Sequence, residues 1–337
     1  MESLEVPLRL IQVRNRAGAR RVGMVDEPRI QLLEGCSSIY ELAQQALAAE
    51  ETLPTTAAKH RSTHVLSYDE IYDGRSEWKI LPAIDHPEPS RCLVSGTGLT
   101  HRKSAQNRQA MHAADAAPTD SMRIYQWGVE GGRPAPGEIG VAPEWFYKGC
   151  GTILRAHGES LTVPPHAEDG GEEPEVAGVY VIDAAGVPRR IGMTTGNEFS
   201  DHKFEKKNYL YLAFSKLMVC SIGPELVVDA DFTVVTGEVR IERAGQVLWS
   251  RQLSTGEAAM SHSLANLEHH HFKHPAHRRP GDVHVHFVGT DGFSFGENVI
   301  LQDADVMEVS FAGFGRPLRN PVAVDREAKK LFAAVPL

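Results

Sequence analysis

Apolar and polar positions alternate in short runs at the start of the chain. Leu8-Arg9-Leu10-Ile11-Gln12-Val13, Arg21-Val22-Gly23-Met24-Val25 and Ile30-Gln31-Leu32-Leu33 read as three strands. Asn15, Gly18, Asp26 and Pro28 supply the turns between them. The period then changes, and residues 39–50 predict a helix capped by Ser37 or Ser38, with Glu41 placed as in a capping box. A second mixed segment runs to about Trp78. Leu81-Pro82-Ala83-Ile84-Asp85-His86-Pro87-Glu88-Pro89 is a stiff connector that fits neither period and places a boundary there. The pattern thus divides the chain into a small α+β unit over 1–80 and a larger body over 81–337.

In the body, Arg91-Cys92-Leu93-Val94-Ser95 reads as a buried strand opening into Gly96-Thr97-Gly98-Leu99-Thr100-His101, and 103–114 predicts a helix. Gly96-x-Gly98 lacks the third glycine and the later acid of a dinucleotide fingerprint, so that reading is rejected. Val176-Ala177-Gly178-Val179-Tyr180-Val181-Ile182 is a continuous apolar strand. Asp282-Val283-His284-Val285-His286-Phe287-Val288 alternates, then turns at Gly289-Thr290-Asp291-Gly292-Phe293. Without regular strand–helix alternation, the fold class is α+β and β-rich rather than doubly wound.

Composition narrows the function. The 337 residues are 42% hydrophobic and 23% charged, ordinary for a globular chain, with net charge −9. That balance, and the lack of a basic aromatic-interleaved stripe, argue against nucleic acid as a partner. No run reaches the length of a membrane span, and Met1-Glu2-Ser3-Leu4-Glu5-Val6 has no secretory character, so the expected location is the cytoplasm. Cys36, Cys92, Cys150 and Cys220 form no CxxC pair and suit buried small residues.

The candidate chemistry lies in the acidic run. Glu173 and Glu175 stand two apart where a loop enters a strand, so both side chains leave the same face. Glu198, near the end of the next strand, can return beside them. Three carboxylates suit a hard divalent ion with positions left open for a chelating substrate. The bland alternative is a solvated acidic loop over 167–173. Lys216, in an apolar setting, could act as a base if desolvated, or simply reach solvent. Asp201 and His202 are close enough to Glu198 in sequence to serve the same centre. His269-His270-His271, with His274 and His277, has a high local count but no convergent spacing, since Pro275 interrupts any helix there. Thr290 and its turn could cradle a carboxylate, or form an ordinary hairpin.

In order, these segments resemble the fumarylacetoacetate hydrolase superfamily over about residues 80–325. Gly98-Leu99-Thr100-His101 is similar to the family's GLNY-like turn, and Trp145-Phe146-Tyr147-Lys148-Gly149 to its FFxKP-like stretch. Glu173-Pro174-Glu175 matches the E-x-E metal pair, Asn197-Glu198-Phe199-Ser200 the NDxS, and Lys216 the downstream lysine. Gly281-Asp282-Val283, Gly289-Thr290-Asp291-Gly292 and Gly315-Arg316-Pro317-Leu318-Arg319-Asn320-Pro321-Val322 match its closing signature. The chain departs from the family in two respects. Glu198 stands where Asp is common, and the hydrolytic His–Glu pair after the GLNY-like turn is missing, with Ser104 and Asn107 in its place.

The resemblance implies a mixed β-sandwich roll, a homodimer, and Mg²⁺ (with Mn²⁺ or Ca²⁺ as substitutes) on Glu173, Glu175 and Glu198. The 196–202 run is similar to the branch that dehydrates 2-keto-3-deoxypentonates, which implies elimination of water through a metal-stabilised enolate to 2,5-dioxopentanoate. In that reading Lys216 is the base, with His101 or a metal-bound water as rivals. Thr290 and Gly289 hold the substrate carboxylate, Lys148 is a second anion contact, and Ser104 lines the substrate pocket. The alternatives are a hydrolase of 2,4-diketo acids or acylpyruvates, and a sugar-acid-binding relative without chemistry.

Overall fold

The computed structural model describes residues 7–106 and 119–337. Two sheets organise them. The larger runs in the order Arg61–Ser67, Arg29–Leu33, Arg20–Asp26, Arg9–Asn15, Leu226–Val227, Pro188–Asn197, Pro174–Ile182, Val283–Phe287, Cys92–Gly98, Glu144–Cys150, with three short strands off this path. The smaller has the order Gln246–Thr255, Val235–Arg243, Val306–Phe311, Leu318–Val324, Leu161–Val163. Most neighbours are antiparallel, but Val283–Phe287 runs parallel to Cys92–Gly98. This is the expected β-rich α+β class with few, short helices.

The three N-terminal strands form where the alternation placed them. The helix Ile39–Ala48 starts on Ser38, whose hydroxyl accepts from the Glu41 N–H at 3.0 Å. The Glu41 carboxylate closes back on the Ser37 N–H at 2.8 Å, one residue earlier than a standard capping box. The first strand is also bonded beyond its own unit, with Leu10 opposite Leu226 and Arg9 opposite Val227, so one sheet crosses the proline-rich connector. Arg316, from the turn before the last strand, lies 3.9 Å from the Tyr68 ring centre and bonds Asp69 at 2.7 Å, fastening that turn to the N-terminal unit. Of the helix predicted over 103–114, residues 102–106 are helical, and the remainder, with Asn107, lies outside the described residues.

The core explains the continuous apolar run. Ala177, Val179 and Val181 join a cluster with Leu10, Ile39, Leu42, Val94, Val285 and Phe287. Val176 packs to the other side with Val239, Leu253, Val309 and Phe311 of the smaller sheet. Every residue of Pro174–Ile182 is therefore buried. A strand covered on both faces is rigid, and its first residues carry the acidic pair.

Candidate active site

Antiparallel pairing brings the acids together. Pro174 lies opposite Asn197 and Glu175 opposite Gly196. The ladder extends one step further, with the Glu198 N–H donating to the Glu173 carbonyl at 2.9 Å. The Asn197 side chain also accepts the Glu173 N–H at 3.2 Å. Glu173, Glu175 and Glu198 are all buried, and each offers an oxygen within 4.8 Å of the others. Among the described residues no other set of three His, Cys, Asp or Glu side chains converges in this way.

Two lysines answer this charge. Lys148 Nζ contacts Glu198 Oε1 at 2.5 Å and also donates to the carbonyls of Phe199 at 2.7 Å and Lys216 at 3.0 Å. Lys216 Nζ contacts Glu198 Oε2 at 2.5 Å, bonds Glu173 Oε1, and sits 4.9 Å from the Phe146 ring centre. Ser200 adds its hydroxyl to Glu198 at 3.2 Å. Burial raises the Glu173 pKa, but Lys216 and His202 more than offset it and hold this carboxyl well below its usual range. Burial, reinforced by the charges of Glu198 and Glu173, pushes Glu175 well above that range. Burial against the pull of both lysines brings Glu198 up to about 7. Three carboxylates so close repel one another unless a cation joins them.

The donor set fits a hard divalent ion. Glu173 Oε2 and Glu175 Oε1 make no hydrogen bond to a described residue, whereas their partner oxygens are engaged by Lys216 and the Gly289 N–H. Glu173 and Glu175 are each thereby fixed by one oxygen and offer the other to an ion, while Glu198, held at Oε1 by Lys148 and at Oε2 by Lys216, would yield one of these contacts to complete the set.

The rim comes from the turn after Val283–Phe287. The Gly289 N–H donates to Glu175 Oε2 at 2.7 Å. Gly289 has φ 102° and no room for a Cβ, which would strike the Thr100 hydroxyl. Thr290 is buried, its hydroxyl donating to the Gly292 carbonyl at 3.1 Å. Glu172, read from composition as part of a solvated run, is fully buried and accepts from Ser294 N at 2.6 Å and Oγ at 2.9 Å.

The other expected residues make contacts of their own. His101 is buried with both ring nitrogens bonded, to Thr100 at 2.9 Å and Thr255 at 3.0 Å, and burial lowers its pKa to about 4. Ser104 is buried on the helical stretch that follows it. Lys148 directs its three N–H bonds to Glu198 and two carbonyls, so it orders a ligand strand instead of facing a substrate anion. Asp201 caps the helix His202–Lys207 through Phe204 N at 2.9 Å and accepts Glu168 N at 2.8 Å. His271 lies in a buried aromatic stack, bonded to Trp145 at 3.1 Å and His284 at 2.9 Å. Sequence reasoning missed Glu144. It is buried on the same strand face as Phe146 and Lys148, accepts the Tyr209 hydroxyl at 2.6 Å, and fills the space left by Gly98. The period-two burial of 144–148 was the available signal.

Fold and site together define a β-roll protein built around a buried carboxylate triad. The family model described as fumarylacetoacetate (FAA) hydrolase C-terminal matches residues 110–323. The chain belongs to the fumarylacetoacetate hydrolase family. A probable 2-keto-3-deoxyxylonate dehydratase of Haloferax volcanii is 30% identical over 124 residues, 35% of this chain and 41% of that protein. The match thus spans about two fifths of that relative's length. The solved structure of a 2-keto-3-deoxy-D-arabinonate dehydratase complexed with magnesium and 2,5-dioxopentanoate shares the fold. Its TM-score is 0.71 at 21% identity, covering 95% of this chain and 100% of that one. A 5-carboxymethyl-2-hydroxymuconate delta-isomerase from Mycobacterium smegmatis superposes with TM-score 0.55 at 18% identity, covering 94% and 100% of the two chains. Among the described residues no helix is long and apolar enough to cross a membrane.

Proposed function

We propose that this protein is a Mg²⁺-dependent dehydratase that converts a 2-keto-3-deoxypentonate to 2,5-dioxopentanoate and water. The observation that carries the reading is the convergence of Glu173, Glu175 and Glu198 with one oxygen each of Glu173 and Glu175 left open. The Haloferax relative and the magnesium-bound arabinonate dehydratase support the substrate class.

When bound, the divalent ion supplies Lewis-acid polarisation of the substrate's C2 carbonyl and carboxylate. Lys216, in contact with both Glu173 and Glu198, is our candidate for taking the C3 proton; it would act there as the neutral amine, its ammonium proton released once a divalent ion takes over the charge of the two carboxylates. The C4 hydroxyl leaves with that proton as water to give the C3=C4 enone; a proton shift from C5 to C3 then gives the C4=C5 enol, and passage of its hydroxyl proton to C4 gives the 2,5-dioxo acid, with no external water needed as nucleophile. Thr290 and the amides of its turn hold the substrate carboxylate, while Gly289 acts through Glu175. His101, with both nitrogens engaged by threonines, serves the pocket wall. Ser104 stands where the family's hydrolases carry their water-activating histidine, a substitution that favours elimination over hydrolysis.

We take residues 1–80 as a small unit whose sheet continues into the catalytic body 81–337, and we infer a homodimer working in the cytoplasm. The free cysteines, three of them buried, suit a reducing compartment. The test is to incubate the protein with a panel of 2-keto-3-deoxypentonates and follow 2,5-dioxopentanoate, with chelator and Mg²⁺ add-back. Semialdehyde formation that stops with chelator and returns with Mg²⁺ supports the reading. Its absence, with pyruvate released from 2,4-diketo acids instead, overturns it.

A further inference from the structure

We propose that His202 is the positioning residue of the metal centre, fixing Glu173 so that one oxygen is held by the protein and the other is kept for the ion. This rests on the metal-site reading above. His202 Nε2 lies 3.0 Å from Glu173 Oε1, and a ring N–H facing a carboxylate oxygen donates to it. Lys216 bonds the same oxygen, so both donors occupy Oε1 and leave Oε2 without a hydrogen bond to a described residue.

The ring itself cannot swing. It stacks on Phe293 at 4.8 Å with 17° between planes, and leans on Phe295 at 5.2 Å. Its backbone is set by Asp201, which caps the helix that His202 begins. Across from it, a side chain at Gly171 would collide with the imidazole. Only 2% of His202 is exposed, and Nδ1 has no hydrogen-bond partner among the described residues. Among the described residues, the one directional bond of the ring therefore goes to Glu173. Packing alone would be met by phenylalanine, which keeps the stack and lacks the donor.

Donors behind a ligand set its orientation, and losing one typically weakens metal binding 10–100-fold. Phe293 and Phe295 flank Ser294, which Glu172 holds, so the same stack ties the 289–297 segment to the acidic strand.

The experiment is calorimetric titration of Mg²⁺ into the full-length protein and its His202→Phe, His202→Leu and His202→Gln variants, with thermal unfolding recorded for each. The glutamine amide nitrogen lies as many bonds from Cβ as Nε2 does and can replace the donor. The expected result is a Kd raised about 10–100-fold in His202→Phe and His202→Leu, and within about threefold of the unsubstituted protein in His202→Gln. Unchanged Mg²⁺ affinity in His202→Phe, or equal weakening in the phenylalanine and glutamine variants, overturns the proposal. If the unsubstituted protein binds no divalent ion, the metal reading itself fails, a result distinct from equal binding by all four proteins.

Discussion

Replacing Lys148 by methionine tests how the site is held together. Lys148 and Glu198 side chains are both 0% exposed and meet at 2.5 Å. Removing one partner of a buried pair costs about 3–5 kcal/mol, because the remaining charge is stranded in a poor solvent. Lys216 still contacts Glu198 Oε2 at 2.5 Å, which places the loss near the lower end of that range. The carbonyls of Phe199 and Lys216 also lose their donor, adding about 1 kcal/mol or more. At roughly 2 °C per kcal/mol for a chain of this size, Tm should fall by about 6–10 °C. Without the ammonium, burial drives Glu198 further above about 7, so at neutral pH it holds a proton in place of a metal. Calorimetry should therefore show weaker Mg²⁺ binding that recovers as pH rises. The double variant Lys148→Met/Glu198→Gln removes the stranded charge and should regain part of the lost Tm without regaining Mg²⁺ affinity. A Lys148→Met protein with unchanged Tm and an unchanged Mg²⁺ isotherm would refute this reasoning.

Other substitutions probe separate parts of the site. Glu175→Gln should abolish Mg²⁺ binding and turnover yet raise the Tm of the metal-stripped protein, because burial first, and then the charges of Glu198 and Glu173, penalise its ionised form; a lower Tm counts against that penalty. Ser294→Ala removes the 2.9 Å hydroxyl bond to buried Glu172 and should cost about 1–3 kcal/mol in urea unfolding. His286 is held neutral by burial and nearby histidines, its pKa lowered to about 3, while its ring nitrogens bond Ser95 at 2.9 Å and Thr97 at 2.8 Å. Between pH 6.5, the unfolded value, and about 3, the unfolded chain binds the extra proton. Stability should accordingly fall with acidification through that window, by up to about 1.4 kcal/mol per pH unit from this group, and be flat in its contribution above it. Urea titrations of the native protein and His286→Gln across pH 4–7 check the slope, and equal slopes defeat the assignment.

The acid pair and its return partner were legible because a two-residue period fixes which face a side chain takes, and consecutive strands pair. That rule brought Glu173, Glu175 and Glu198 together but left a solvated loop as the alternative, and the ordered resemblance chose between them. Glu172 was hidden by composition. Its run looks solvated, yet Ser294, more than a hundred residues later, supplies its partner. Lys148 and Glu144 were readable as one face of a strand, but nothing local says that Lys148 turns to Glu198 instead of substrate. Asp201 had the sequence of a helix cap and was weighed for chemistry because of its neighbour Glu198. The pairing of Leu10 with Leu226 carries the sheet across a connector whose prolines advertise a break. Local patterns, in short, specify side and period, while long-range partners decide whether a charge is solvated or enclosed.

Charge balance then suggests an order of binding. Without an ion, burial and the neighbouring carboxylates keep a proton on Glu175, and Glu173 and Glu198 are matched by Lys148 and Lys216, so the enclosed cluster offers an entering 2-oxo acid anion no net positive charge. One divalent ion would displace that proton and leave one net positive charge, and the anion then restores neutrality. The ion should therefore precede the acid, and each should tighten the other, as linkage demands. Pyruvate, the smallest 2-oxo acid, is a suitable probe. Its titration should give a binding isotherm in Mg²⁺ and none in chelator, and pyruvate should lower the Kd for Mg²⁺ by the factor that Mg²⁺ lowers the Kd for pyruvate. Equal pyruvate affinity with and without the ion would show that the anion is received by groups outside this cluster, and the charge argument would fall.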